Sequence, residues 1–413
     1  MREIAYNRKP RIQVVDAIRG FALLGILLLH SIEHYDFLRA ADMNPAIFAP
    51  LDPYVDRIIR FLFAGKAYSM FSIMFGLSFF IQMDRQEQRG VDFRRTFLWR
   101  LAILFVFGYL HGLIYSGDIL KIYAVLGVPL VLLYNRNNKF LLGLALLIIL
   151  QVPTIYNLIY SFLHPEYVFD RSILGSLWGQ ANQTFGSGTF LEVVRFNAWK
   201  GIMAVWAWMY FNGRYLQLIG FFILGLLIGK SRYFENVGEY SRQTKHVLGS
   251  SVLVYGILLA IGSHTGGLEL TNTQAGLLGT LINSYSNFAL TFILMTSFVL
   301  VYQRIRYENK FSGLAAYGKM SLTSYVTQGV IGAPFFYGYG LAMYHYFGHT
   351  MSIIYGVLFF LIQISFCRIW LRYYNYGPLE WLWRAITYFD FDIAFRKIRP
   401  AVQSIEVADS SSV

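Results

Sequence analysis

Charged residues are scarce in this chain of 413 residues, because Asp, Glu, Lys and Arg together make up only 14% of it. Soluble chains carry about 25% of these residues, so a large water-exposed surface is excluded. Hydrophobic residues reach 56% and aromatic residues 18%. So much apolar material must face the lipid bilayer. The composition predicts an all-α protein, a polytopic bundle of transmembrane helices.

Cysteine is almost absent, and Cys367 is its single instance. A disulfide within the chain is therefore excluded, as is a CxxC metal or redox motif. Low-complexity tracts and internal repeats are also missing. We expect one integral membrane domain over residues 1–406 and a disordered tail over 407–413.

About ten apolar stretches are long enough to cross a bilayer. They lie near residues 14–32, 58–83, 96–116, 119–134, 139–163, 215–230, 246–263, 275–303, 317–340 and 350–371. The intervening segments on one side hold roughly 24 of the 35 Lys and Arg residues, which marks that side as cytoplasmic. We expect both termini in the cytoplasm and the protein in the cell membrane. This orientation explains the net charge of +12, so no nucleic-acid partner is expected.

Two segments outside the spans have distinctive compositions. The 164–214 stretch is rich in Gly, Asn, Ser and Trp, lies outside the cell in this topology, and could cover an external site. The cytoplasmic tail from residue 372 contains GPLEWLWR at 377–384, which is typical of an amphipathic helix at the membrane interface. Within it, Glu380 and Arg384 have the spacing of a helical ion pair.

The first span carries the densest set of ionisable residues, and such residues are costly in a bilayer. Asp16 and Arg19 share one helical face, as an ion pair would. Arg19 and His30 also share a face, about 16 Å apart along the axis. Arg19 near the cytoplasm suits an anionic donor, and His30 near the outside suits a general base. A hydrogen bond between helices is the alternative role for His30.

The segment from His30 to His34 also spells HxxEH, the signature of inverted zinc peptidases, with Glu33 between the histidines. The pattern is short, and no downstream carboxylate motif supplies a third ligand, although His111 and Asp118 could reach the same layer. We expect no metal site.

Further polar residues occur in other spans. Lys66 needs a partner or a water-filled cavity, and the topology places it in the outer leaflet with His30, Glu33, His111 and Asp118. The ninth span carries Lys319 near its start and presents Gln328 on a polar face. Packing between helices and a substrate channel explain that face equally well.

Six ordered motifs resemble those of the YeiB-like bacterial membrane family, a domain of unknown function. They are RIQVVDAIRGFALLGILLLH at 11–30, FAGKAYSMFSIMFGLSF at 63–79, SGDILKIYAVLG at 116–127, YGKMSLTSYVTQ at 317–328, FFYGYG at 335–340 and GPLEWLWR at 377–384. The resemblance spans nearly the whole chain. That family is grouped with transmembrane acyltransferases, including the heparan glucosaminide acetyltransferases and the type-three acyltransferases, and it has also been linked to transport.

The resemblance implies roles for individual residues. The type-three acyltransferases carry an Arg-x10-His signature in their first span, which Arg19 and His30 reproduce. It implies that His30 is the catalytic histidine and that Arg19 belongs to the acyl-CoA path. Many YeiB-like proteins carry Asn at the position of His30, so His34 is the alternative catalytic position.

The function expected from these features is acyl transfer from acyl-CoA, acetyl-CoA in the simplest case, to an external glycan, lipid or small molecule. His30 would be the general base, oriented by Glu33 or Asp118, and Lys66 or backbone donors would stabilise the oxyanion. Asp16, His34, Lys66, His111, Asp118, Lys319 and Gln328 are the candidate substrate-binding residues. The alternative is a transporter of a small solute without covalent chemistry.

Overall fold

The computed structural model describes residues 12–305 and 310–397. In these two ranges the chain is helical and forms no β-strand, apart from one isolated bridge between Tyr374 and Arg396. The prediction of an all-α protein is confirmed. The tail expected over 407–413 lies outside the described residues, as does the basic segment at 1–11.

The α-helices are numbered here in chain order. They are α1 (Gln13–Ile32), α2 (Asp52–Phe63), α3 (Ala67–Glu87), α4 (Arg94–Gly112), α5 (Leu120–Leu126), α6 (Pro129–Leu133), α7 (Asn138–Ile149), α8 (Val152–Leu163), α9 (Ser172–Ser187), α10 (Phe190–Phe196), α11 (Ile202–Phe211), α12 (Arg214–Lys230), α13 (Ser241–His264), α14 (Asn272–Ile305), α15 (Ser312–Lys319), α16 (Ser321–Phe336), α17 (His349–Tyr373) and α18 (Pro378–Tyr388). A π-helical turn, Asn197–Gly201, joins α10 to α11.

Five helical segments in the described ranges are long and apolar enough to cross a membrane: Gln13–Ile32, Ala49–Glu87, Ser241–Gly267, Asn272–Ile305 and His349–Tyr373. Two further pairs qualify if each bent pair is one span. These are α7 with α8, bent by 41°, and α10–α11 with α12, bent by 75°. Residues 12–305 and 310–397 therefore contain five to seven candidate spans, and the predicted count of about ten is not confirmed.

The apolar residues that face outward require a lipid environment. Along α13, Leu253 is 65% exposed and Ile257 is 50% exposed, and the most apolar stretch of this helix has no buried residue. Water would not tolerate so continuous an apolar surface. A helix can expose such side chains to lipid because its backbone groups are already paired within it.

Helix α1 lies in the centre of the bundle, between α3, α15 and α17. Its residues Ala17, Ile18 and Leu23 are completely buried. Close packing against α15 depends on two glycines. A Cβ atom at Gly20 would lie 2.2 Å from a carbonyl oxygen of α15, and a Cβ at Gly318 would lie within 2 Å of a carbonyl oxygen of α1. Small residues let helix backbones approach this closely in membranes.

Helices α16 and α18 cap each other. The Glu380 carboxylate accepts hydrogen bonds from the backbone N–H of Leu322 at 2.7 Å, from the N–H of Thr323 at 3.1 Å and from the Thr323 hydroxyl at 2.6 Å. In return, the Thr323 hydroxyl oxygen accepts a hydrogen bond from the Leu379 N–H at 3.1 Å. These contacts satisfy N–H groups that have no partner inside their own helices. Glu380 therefore caps α16 and does not form the expected ion pair with Arg384. The guanidinium group of Arg384 lies over the ring of Tyr376.

Replacing Glu380 with Ala should destabilise the protein by about 1–3 kcal/mol, because buried N–H groups of α16 lose their acceptor. Unfolding by sodium dodecyl sulfate in mixed micelles measures the change. Glu380→Gln keeps one acceptor oxygen and should cost less. Glu269→Ala, on an exposed loop, is the matched control. A Glu380→Ala midpoint equal to that of the control would refute the capping role.

Candidate functional site

A cavity of about 990 Å³ lies among α1, α2, α3, α12 and α14, beneath α9–α11. Part of the 164–214 stretch covers it, because Trp178, Phe185 and Trp208 contribute to its wall. The polar and ionisable side chains that line it are His30, Glu33, Asp36, Asp56, Arg57, Arg60, Lys66, Tyr68, Tyr115, Ser116, Trp178, Trp208, Arg214, Asn283, Asn287 and Tyr325. A large, partly apolar cavity with converging polar groups is the usual form of a ligand site.

His30 stands in the wall of this cavity, in the last turn of α1. Its ring is surrounded by the rings of Tyr115, Tyr35 and Tyr325, whose centroids are 5.1, 5.8 and 6.4 Å away. Within the described ranges its imidazole has no hydrogen-bond partner. Both ring nitrogens are therefore available to a ligand.

Glu33 follows at the end of α1 and pairs with α2. Its carboxylate accepts a hydrogen bond from Arg60 at 2.6 Å, and Arg60 also donates to Asp56 at 2.7 Å. Burial raises the pKa of Glu33 to about 7, an effect enhanced by the charge of Asp36 and opposed by Arg60. The expectation that Glu33 orients His30 is not met in this structure, because the carboxylate is engaged by Arg60.

His111 and Asp118 form a buried His–carboxylate pair in this region. His111 Nδ1 lies 2.6 Å from Asp118 Oδ2, and both side chains are almost fully buried. The other carboxylate oxygen accepts a hydrogen bond from the Lys121 N–H at 3.2 Å. Asp118 thus orients His111 and not His30. His111 Nε2 lacks a partner in the described ranges and faces the backbone of Gly329.

The turn after α1 is strained. His34, Tyr35 and Asp36 adopt φ angles of +47°, +58° and +68°. The left-handed region costs roughly 1–2 kcal/mol for each residue with a side chain. Such strain persists only where packing enforces it, and it is frequent at functional sites. Here it turns Asp36 towards the cavity wall.

Asp36 is held between Tyr115 and Lys121. Burial raises the pKa of its carboxyl group to about 6, opposed by a hydrogen bond from Tyr115 and by the charge of Lys121. Asp36 and Lys121 were both missed by the sequence analysis. A lysine inside the span predicted at 119–134 was the available signal, since buried lysines need a negative partner.

His34 lies outside the cavity wall. Its Nε2 is 3.0 Å from the Ser352 hydroxyl, and its ring stacks on Phe336 with centroids 4.6 Å apart. These contacts tie α1 to α16 and α17. His34 therefore packs between helices, and the cavity contains His30 alone of the two histidines.

Asp16 and Arg19 lie deeper along α1 and do not line the cavity. They pair at 2.8 Å, and Arg19 also donates to Ser78 of α3. The expected ion pair of these residues is present. It joins α1 to α3 about three turns from His30.

Lys319 and Gln328 also lie apart from the cavity lining. Gln328 donates to the Tyr317 hydroxyl at 2.6 Å, and Tyr317 donates to Gln363 at 2.9 Å. This buried network joins α15, α16 and α17, which favours packing over a channel for the polar face of α16. Lys319 is the last residue of α15.

The HxxEH segment does not assemble as a metal site. His34 turns to Ser352 and Glu33 to Arg60, so its side chains diverge. Across residues 12–305 and 310–397, no group of three or more His, Cys, Asp or Glu side chains is arranged to hold a metal ion.

Comparisons with known proteins agree with the motifs. Residues 228–390 match the family model described as "Protein of unknown function (DUF418)". The chain is similar to the YeiB-like DUF418 family over these residues. It is 26% identical to the uncharacterized protein YxaH of Bacillus subtilis, covering 94% of this chain and 97% of that protein. It is also 26% identical to the uncharacterized protein YeiB of Escherichia coli, covering 90% and 95%. The DUF418 match includes α13 to α18, whereas the cavity is built largely from helices before it.

Proposed function

We propose that this protein is a transmembrane acyltransferase that moves an acyl group, acetyl in the simplest case, from cytoplasmic acyl-CoA to a hydroxyl or amine at the outer face of the cell membrane. The observation that supports it is the imidazole of His30, which lines a cavity of about 990 Å³ with its nitrogens unengaged by the described residues. A general base needs this access to the proton of an acceptor.

The proposed reaction is a single transfer at His30. Its imidazole removes the proton of the acceptor hydroxyl while the oxygen attacks the thioester carbonyl carbon. The tetrahedral intermediate collapses, the carbon–sulfur bond breaks, and CoA leaves as a thiolate that takes the proton back from His30. The products are the acyl ester and free CoA.

A donor for the oxyanion is present beside His30. The Tyr325 hydroxyl oxygen accepts a hydrogen bond from the Ile119 N–H at 3.1 Å, which leaves its own proton to donate. Tyr325 lines the cavity. A donor already in place stabilises the developing negative charge without reorganisation.

The proposal includes the expected topology of about ten spans, with both termini in the cytoplasm. Arg19, about three turns closer to the cytoplasm than His30 on the same helix, then lies on the acyl-CoA side. The acceptor, a glycan, a lipid or a small molecule, enters the cavity from outside.

The test is to incubate the purified protein in vesicles with radiolabelled acetyl-CoA and candidate acceptors. Release of CoA together with label on an acceptor is expected. Neither binding nor release, across several acyl chain lengths, would refute the proposal.

One observation favours transport as a second candidate. The bent pairs α7–α8 and α11–α12 break next to each other, because a Cβ at Gly213 would lie 2.1 Å from the Gln151 side-chain oxygen. Paired broken helices beside a cavity are a feature of secondary transporters. Uptake of an anionic solute into reconstituted vesicles, without covalent change, would support this candidate.

A further inference from the structure

Two buried helices begin side by side at the cavity with the same local pattern. Helix α3 follows Gly65, with a φ of +82°, and α12 follows Gly213, with a φ of +61°. A cation comes next in each case, Lys66 at the N-cap of α3 and Arg214 as the first residue of α12. The two N-termini are joined through Tyr68, whose hydroxyl oxygen accepts a hydrogen bond from Arg214 at 2.5 Å.

Both cations are buried and line the cavity. Lys66 is 6% exposed and Arg214 is 8% exposed. Neither has a carboxylate partner within the described residues. The ammonium group of Lys66 donates to the backbone oxygen of Arg60 at 3.4 Å and lies 5.9 Å from the centroid of the Phe61 ring. Arg214 donates to Tyr68 and Gln217, and its buried Nε atom has no partner in the described ranges.

The acidic residues of the cavity do not neutralise these cations. Glu33 and Asp56 both pair with Arg60, and Asp36 lies beside Lys121. The charged group next to Lys66 is that of Arg214, which has the same sign and repels it. Two buried positive charges without counterions are costly, even with the rings of Tyr68 and Trp208 near the guanidinium. A bound anion would remove this cost.

We propose that the cavity binds a phosphate group between Lys66 and Arg214, at the joint N-termini of α3 and α12. A phosphate dianion neutralises both cations, whereas a carboxylate neutralises only one. Each helix N-terminus adds free N–H groups and the positive end of its dipole. The guanidinium group of Arg214 and the ammonium group of Lys66 supply donors to separate phosphate oxygens.

A phosphate site in this cavity indicates the chemical class of the acceptor. A ligand anchored by its phosphate group would extend along the cavity towards His30, which lines the same space. The acceptor would then be a phosphorylated molecule, either a phospholipid headgroup or a soluble phosphate ester. That the phosphorylated molecule is the acceptor rests on the proposed acyl transfer. That the cavity binds a phosphate group does not depend on it.

Calorimetric titration of the purified protein in phosphate-free detergent tests the site. The probes are inorganic phosphate, dihexanoyl phosphatidic acid and, as its phosphate-free match, dihexanoyl glycerol. Saturable binding of either phosphate probe, but not of dihexanoyl glycerol, is expected. Tighter binding of phosphatidic acid would identify a lipid headgroup, and tighter binding of inorganic phosphate a soluble ester. Acetate serves as a monoanion for comparison. If acetate bound as tightly as inorganic phosphate, the assignment of the site to a dianion would be overturned.

Variants distinguish the specific contributions of Lys66 and Arg214 to phosphate binding from the effect of removing any positive charge. Lys66→Gln and Arg214→Gln should each weaken phosphate binding by about 10- to 100-fold, the range for lost charge-assisted hydrogen bonds. Lys66→Arg keeps the charge and should retain binding. Lys230→Gln, at the far end of α12, is the matched control and should bind like wild type. Undiminished binding by folded Lys66→Gln and Arg214→Gln, or no binding of either phosphate probe by wild type, would overturn the proposal.

The two proposals fail separately. Phosphate binding without any acyl transfer would support the phosphate site and refute the proposed acyltransferase activity. His30-dependent acyl transfer without phosphate binding would refute the anion site alone.

Discussion

His30→Ala should lower the rate of acyl transfer by about 10²- to 10⁴-fold, the contribution of a positioned general base. The side chain lines the cavity and has no structural hydrogen bond within the described residues, so its removal should leave the fold intact. Radiolabelled acetyl transfer by equal amounts of purified protein measures the rate. His30→Asn, which keeps a polar group but cannot take up the proton, should be equally inactive.

The control for this substitution is His246→Ala, because His246 is exposed at the start of α13. It should transfer label at the wild-type rate. Each variant must elute as a single species of the same size, which separates lost chemistry from lost folding. Wild-type turnover by a folded His30→Ala protein would exclude His30 as the base.

Asp118→Ala should destabilise the protein by about 3–5 kcal/mol, the range for leaving a buried charge without its partner, here the ammonium group of Lys121. The Asp118 side chain is completely buried and holds both His111 and the N–H of Lys121. Without it, the ammonium group of Lys121 keeps the attraction of Asp36 and a hydrogen bond to the Ser116 carbonyl at 3.5 Å. Unfolding in mixed micelles with sodium dodecyl sulfate measures the loss.

Two further variants define the origin of this loss. Asp118→Asn keeps the shape and one acceptor oxygen, so its loss should be smaller. Asp92→Ala removes an exposed carboxylate that contacts Arg94 and should leave stability nearly unchanged. An Asp118→Ala protein as stable as the Asp92→Ala protein would contradict the structural role of the His111–Asp118 pair.

Substitution of Asp118 should also lower the rate of acyl transfer, because Asp118 positions residues of the cavity wall. The ring of His111 contacts those of Tyr115 and Tyr325, and both tyrosines surround His30. Loss of the Asp118 carboxylate would free the His111 ring to move. Asp118 is therefore a positioning residue, and its effect on the rate should be smaller than that of His30.

The sequence by itself determined the class of protein and the layer of the site. Few charges and many apolar residues leave an all-helical membrane protein as the outcome. The predicted topology placed His30 and Lys66 in the outer leaflet, because the rise along a helix is fixed at 1.5 Å per residue. The two residues do line one cavity.

The tertiary structure alone decided which side chains meet. Spacing along one helix fixes the face of a residue on that helix, but the rotation of each helix about its axis depends on packing with its neighbours. Thus Asp118 binds His111 and Glu33 binds Arg60, although one of the two was expected to orient His30. Arg214 meets Lys66 across 148 positions of sequence, because α3 and α12 pack in parallel from the same level.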